Sequence, residues 1–252
     1  MTESTFHTDL TYAIIAVSIV VFVSLFFVIA PYGRHTRPGW GVMISTRLGW
    51  ALMESPSVVI FGVVYFLGRN ALSPMPLALA TMWLTHYVHR SFIYPFRLKD
   101  AKKPMPVAIT AMAIIFNHAN SYVNARWISE LGQYSTHDLT SPHFILGVLG
   151  FATGMGLNIR SDNILFSLRK PGEEGYRIPH GTAYRWVSSP NYLGELIEWA
   201  SWAVASWSLA GLSFFLFTFA NLLPRALANH RWYRRTFVDY PSGRRAIIPY
   251  LL

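Results

Sequence analysis

From Leu10 to Ala30 the chain carries no charged residue. At 1.5 Å per residue such a run reaches about 30 Å as a helix, the thickness of a bilayer's hydrocarbon core. Further apolar runs follow, more than the interior of one soluble domain of 252 residues can hide. The sequence is 52% hydrophobic and 13% charged, the latter about half of what a soluble protein carries. Lipid is therefore expected to cover much of the surface. The residues before the run, including Glu3 and Asp9, hold no Lys or Arg. The basic n-region of a cleaved signal peptide is thus missing, and 10–30 reads as a retained first transmembrane helix.

Six more helices are expected at Arg47–Leu67, Pro76–Tyr94, Pro106–Ile128, Pro142–Leu165, Tyr192–Trp207 and Leu209–Trp232. Pro31 and Gly33, Ser73 to Pro76, Lys103 to Pro106, and Pro142 mark breaks between them. Most of the 21 Lys and Arg residues fall on one side of this alternation. Arg34, Arg37 and Arg47 follow the first helix, and Arg97, Lys99, Lys102 and Lys103 the third. Arg160, Arg169, Lys170, Arg177 and Arg185 follow the fifth, and Arg225 to Arg245 close the chain. Because basic residues resist translocation, this side is cytoplasmic. The expectation is an all-α integral membrane protein, a seven-helix bundle in a single domain 1–252, with its N-terminus outside and C-terminus inside.

The net charge of +9 does not point to nucleic acid, since the basic residues lie between apolar runs and form no dense stripe. With no cysteine there is neither a disulfide framework nor a thiolate nucleophile. His86 and His89 form one pair at i, i+3, short of the repeated clusters a membrane di-iron site needs, so no metal is expected. Gly154-Met155-Gly156 lacks the third glycine and the strand setting of a dinucleotide fingerprint. Gly150 and Gly154 instead suit close helix packing of the small-xxx-small type.

Polar residues inside spans are costly and face a cavity or a partner. Glu54 precedes Ser55-Pro56 in the second helix, and Tyr87, Arg90 and Tyr94 share one face of the third. A pairing of Glu54 with an interfacial base and a place for Tyr87 in an aromatic belt remain open alternatives. Asn158 and Asp162 lie at i and i+4 near the end of the fifth helix. Asn191, Glu195, Glu198 and Trp202 draw a polar stripe along the sixth. Two carboxylates on one face suit hydrolysis, or the binding of a ribose, amide or guanidinium; the adjoining basic loop favours binding. That cytoplasmic segment, 158–191, includes Arg169, Lys170, Tyr176 and Arg177 among glycines and prolines. It suits a phosphorylated aromatic ligand, although ordinary positive-inside charge also accounts for the basic residues.

Leu168-Arg169-Lys170-Pro171-Gly172-Glu173, Tyr176-Arg177-Ile178-Pro179, Val187-Ser188 and Asn191-Tyr192-Leu193-Gly194-Glu195 with Glu198-Trp199 resemble the C-terminal signature of the steroid 5α-reductases. Glu54-Ser55-Pro56-Ser57, His86 to Phe92, Gly154 to Asp162, Arg231-Trp232-Tyr233 and Asp239-Tyr240-Pro241 extend the resemblance over most of the chain from Arg34 onward. It implies NADPH-dependent reduction of the 4,5 double bond of a 3-oxo-Δ4-steroid, with 47–252 as a six-helix reductase core. Glu54 and Tyr87 match the positions that polarise the ketone. Because an apolar pocket disfavours a carboxylate, Glu54 is expected to be neutral when substrate binds. Asn158, Asp162, Arg169, Lys170, Tyr176, Arg177, Asn191, Glu195, Glu198, Arg225 and Tyr233 would hold NADPH.

Asn229 stands where vertebrate members carry histidine, and Met53 where a polar neighbour of the glutamate is common. These departures suggest a distant, bacterial member. A monomer is expected, in the inner membrane of a bacterium or the endoplasmic reticulum of a eukaryote. Competing readings are an enoyl-CoA or polyprenol reductase of the same fold, an isoprenylcysteine-type membrane methyltransferase, and a sterol-binding or transport protein.

Overall fold

The computed structural model describes residues 1–37, 39–98, 104–168, 173 and 175–252. Helix α1 (Glu3–Phe27) starts ahead of the apolar run because the Thr2 side chain accepts a hydrogen bond from the Thr5 amide and Glu3 occupies the first turn. It stops short of Ala30, a residue that Pro31 biases toward extended backbone.

The expected second helix is two. Helix α2 (Thr46–Glu54) ends where Pro56 opens α3 (Pro56–Phe66). A proline in mid-helix removes one backbone donor and pushes away the carbonyl four residues back, here that of Leu52. The Ser55 hydroxyl donates to Leu52 O at 3.2 Å, and Asn117 Nδ2 donates to Met53 O at 2.6 Å, so the carbonyls at the break are satisfied.

The third helix is α4 (Pro74–Val88), continued by a π turn at His89–Ile93 and the short α5 (Tyr94–Arg97). Pro95 lacks an N–H, and the wide turn before it absorbs the change of register. Helices α6 (Val107–Arg126), α7 (Pro142–Ser167), α8 (Pro190–Ser206) and α9 (Leu209–Thr236) complete the fold. Between α8 and α9 Trp207 takes the left-handed conformation, and Ser208 caps α9 through the Gly211 amide. An antiparallel pair of β1 (Met43–Ser45) and β2 (Pro104–Pro106) was not expected, each strand being only three residues long.

Among the described residues four helical stretches are long and apolar enough to cross a membrane: Glu3–Phe27, Thr46–Phe66, Pro142–Ser167 and Leu209–Thr236. The expected count of seven exceeds this for physical reasons. Helices α4 and α8 have 15 and 17 residues, and α6 carries Asn117, His118, Asn120 and Asn124. Val17, Ile19, Val20, Val23 and Phe27 of α1 are exposed, a surface suited to lipid.

Helices α7 and α8 touch backbone to backbone. A Cβ on Gly154 would lie 2.5 Å from Glu198 N and Gly194 O, one on Gly150 2.2 Å from Ser201 Oγ, and one on Gly194 2.5 Å from Asn158 N. The small-residue packing expected at Gly150 and Gly154 is what joins these helices. Trp83 is the hub of the core: its ring centroid lies 4.7 Å from that of Phe61, 4.9 Å from Tyr87 and 5.3 Å from both Trp202 and Phe214. Its indole N–H reaches Ser57 O at 2.8 Å, which ties α4 to the first turn of α3.

Candidate active site

The helices enclose a cavity of about 670 Å³. One wall, from α1, α6 and the middle of α9, is mainly apolar; the other, from α7, α8 and the segments around Tyr32 and Tyr176, is polar. A volume of this size accommodates a small-molecule ligand, and the division offers it an apolar and a polar end.

Glu54 and Tyr87 both line the cavity. The kink at Pro56 places Glu54 at the end of α2, and among the described residues its carboxyl has no hydrogen-bond or ion-pair partner. It is a near neighbour of Tyr87, and Ser57 is a polar neighbour of the Tyr87 hydroxyl. Tyr87 is held from behind by Trp83 and by Trp199, 5.6 Å between centroids. A fixed phenol and an unpaired carboxyl therefore face one space.

The polar wall is a connected network. Asn191 Nδ2 donates to Asp162 Oδ1 at 3.0 Å, and Asn158 Nδ2 to Asn191 O at 3.0 Å and to Glu195 Oε2 at 3.3 Å. Arg90 reaches Asp162 at 3.5 Å and Glu195 at 3.8 Å, with its guanidinium over the rings of Tyr94 and Trp50. Sequence patterning singled out these carboxylates and amides without assigning the buried cation between them. The π turn presents Arg90 here.

Glu198 does not join that wall. It is fully buried behind His86, whose Nδ1 lies 2.7 Å from Glu198 Oε1, and it is His86 that lines the cavity. Trp202, the last residue of the expected polar stripe, is buried in the core, where its indole donates to Asn124 Oδ1 at 3.0 Å.

Arg225 lines the cavity, and each of its three guanidinium nitrogens donates to protein. Nε donates to the Tyr192 hydroxyl at 3.0 Å, and Nη1 and Nη2 to the carbonyls of Ala30 and Tyr32 at 3.2 and 3.0 Å. It thereby fastens the strap between α1 and the turn at Gly33, whose positive φ of 64° suits glycine. Arg34, from the same strap, lies over the rings of Tyr176, Trp232 and Tyr233 at 5.5, 5.0 and 4.5 Å. Tyr176, Arg177 and Tyr233 line the cavity as well, and Arg177 pairs with Glu173 at 3.0 Å. Arg169 and Lys170 lie outside the described residues. Arg34 and Tyr32 were not among the expected site residues; the only signal was the position of Arg34 after the first span.

His35, which follows Arg34, meets Asn229 Oδ1 at 3.0 Å. Burial holds its imidazole down at about 4, below the usual 6.5. The unfolded chain takes up that proton near pH 6.5 and the folded chain only near pH 4. The stability His35 contributes is therefore complete above 6.5 and is lost as pH falls toward 4. The thermal midpoint of His35→Gln in detergent should fall less steeply over this window than that of the wild type.

The family model for 3-oxo-5-alpha-steroid 4-dehydrogenase matches residues 103–252. Steroid 5-alpha-reductase DET2 of Arabidopsis thaliana is 44% identical over 236 residues, covering 91% of this chain and 90% of its own. The protein of that name from Gossypium hirsutum is 42% identical over 240 residues, 93% of each chain. Human 3-oxo-5-alpha-steroid 4-dehydrogenase 1 is 42% identical over 223 residues, 87% of this chain and 85% of its own. With an unpaired carboxyl and a buttressed tyrosine at the cavity, and identity at this level over nearly the whole length, the chain belongs to the 3-oxo-5-alpha-steroid 4-dehydrogenase family, oxidoreductases acting on CH–CH groups.

Proposed function

We propose that the protein reduces the 4,5 double bond of 3-oxo-Δ4-steroids with NADPH. The observation that carries this reading is the unpaired Glu54 carboxyl beside Tyr87, in a cavity apolar on one side and rich in amides and carboxylates on the other. When bound, NADPH supplies a hydride, which arrives at the β-carbon of the enone. Charge then accumulates on the 3-oxygen, and a donor placed there lowers the barrier. Glu54, protonated, and Tyr87 supply hydrogen bonds to that oxygen. Trp83 and Trp199 keep the phenol from turning away, and Asn117 keeps the α2 terminus in place through Met53 O.

The residues present fit the cofactor. Asn158, Asp162, Asn191 and Glu195 offer the amides and carboxylates that ribose hydroxyls and a carboxamide use. Arg34 Nη1 is buried without a hydrogen-bond partner, in a guanidinium that lies on three aromatic rings of the same region. An unsatisfied guanidinium N–H suits a phosphate oxygen. Tyr176, Arg177 and Tyr233 complete this end, joined in our reading by Arg169 and Lys170. Arg225 acts through the strap that carries Arg34, and Glu198 through His86.

In the bilayer seven stretches would cross, α2 with α3 and α4 with α5 each forming one of them, with the basic segments and the cofactor end on the cytoplasmic side. The decisive experiment is to give purified protein NADPH and a 3-oxo-Δ4-steroid and to identify the product. The saturated 3-ketone is expected together with NADPH consumption. Protein that binds NADPH yet returns the steroid unchanged would refute the steroid assignment.

A further inference from the structure

The apolar wall of the cavity contains a polar interruption. Val21, Leu25, Ile109, Met112 and Phe217 set its character, and Thr218 and Asn221 of α9 break it. Other polar side chains on this side are already engaged: Ser24 Oγ donates to Val20 O at 2.7 Å, and Asn117 to Met53 O. Asn221 donates one N–H to Phe217 O at 2.9 Å, which leaves its amide oxygen open. Thr218 is 7% exposed, and among the described residues its hydroxyl makes no hydrogen bond. A hydroxyl and an amide oxygen left unpaired in a mainly apolar lining are available to a ligand, and a hydrogen bond made there is worth more than one made in water.

The position of this pair along α9 says which part of the ligand that is. Phe214 marks the level of the enone site, since its ring lies 6.5 Å from that of Tyr87 and 4.3 Å from that of Trp199. Asn221 is two helical turns further on, a rise of about 10 Å, comparable with the length of a fused four-ring nucleus. Thr218 and Asn221, at i and i+3, share one face. Resting on the reading given above, we propose that Thr218 and Asn221 form a second polar subsite that recognises an oxygen substituent at the ring-D end of the steroid. The Asn221 oxygen accepts from a hydroxyl, and the Thr218 hydroxyl donates to a ketone or a hydroxyl. The preferred substrates are then steroids oxygenated at both ends.

The test compares kcat/KM for three 3-oxo-Δ4-steroids that differ only at carbon 17, bearing hydroxyl, ketone or hydrogen. The wild type should favour the oxygenated compounds by about tenfold or more, as a site built to hydrogen-bond its ligand does. In Thr218→Val and Asn221→Leu that ratio should fall toward one, whereas Thr218→Ser, which keeps the hydroxyl, should preserve it. An NADPH-induced rise in thermal midpoint establishes that each variant is folded, and the near-isosteric Thr218→Val decides the matter if Asn221→Leu is not. A wild type without preference, or variants that lose activity equally on all three compounds, would overturn the subsite. Failure of the wild type to reduce any of the three would instead overturn the reductase reading, and this inference with it.

Discussion

Glu54→Gln is expected to slow steroid reduction by about 10²- to 10⁴-fold, the range a positioned general acid contributes, while NADPH affinity stays close to that of the wild type. The amide matches the carboxyl in size and still offers N–H donors, but it has no acidic proton to move toward the developing enolate oxygen. Glu54 has no protein partner among the described residues, so the substitution leaves no protein group newly unpaired. The loss should therefore lie in kcat and not in stability. Tyr87→Phe should act on the same step, and because the two groups serve one oxygen the double variant should cost less than the product of the single effects. Steady-state kinetics, combined with cofactor titration by tryptophan fluorescence, make the separation. Turnover within twofold of the wild type in Glu54→Gln would remove Glu54 from the mechanism.

How far this site could be read in advance depended on the kind of signal each residue leaves. Asn158 and Asp162, and Asn191 and Glu195, fall at i, i+4 on their helices, so the pattern alone aligned them. What brings the two stripes within hydrogen-bonding distance is the backbone contact at Gly154 and Gly194, and small residues at that spacing are also legible. Glu198 follows the same periodicity, yet one turn deeper it meets His86 and not the cavity. Periodicity specifies a face of a helix and says nothing about how far along that face the cavity extends. Arg225 was assigned to the cofactor by the resemblance alone, not by any local pattern. Its engagement with two carbonyls of the strap depends on a contact across most of the chain, which no local pattern encodes. The break at Pro56 is a further case: the proline is evident, but the Asn117 amide that completes the kink lies on α6. The expectation of seven apolar spans likewise met shorter and more polar helices, since those facing a polar interior need not be apolar all round.

Arg90→Leu should have the largest effect on the folded protein. The guanidinium lies between Asp162 at 3.5 Å and Glu195 at 3.8 Å, its side chain 10% exposed, and is covered by Tyr94 and Trp50. Removing the cation from such a pair leaves buried carboxylates without compensation, which costs about 3–5 kcal/mol. The thermal midpoint in detergent should drop and NADPH binding should weaken together, because the same carboxylates hold Asn191 and Asn158 in place. Arg90→Lys should recover only part of the loss: a point charge cannot span both carboxylates or lie flat against two rings. The cause can be separated from mere loss of volume by neutralising the partners. In an Asp162→Asn, Glu195→Gln background there is no buried charge left to strand, so adding Arg90→Leu should cost much less than it does in the wild type. An equal cost in both backgrounds would show that Arg90 acts by packing alone, and that the polar wall does not depend on its charge.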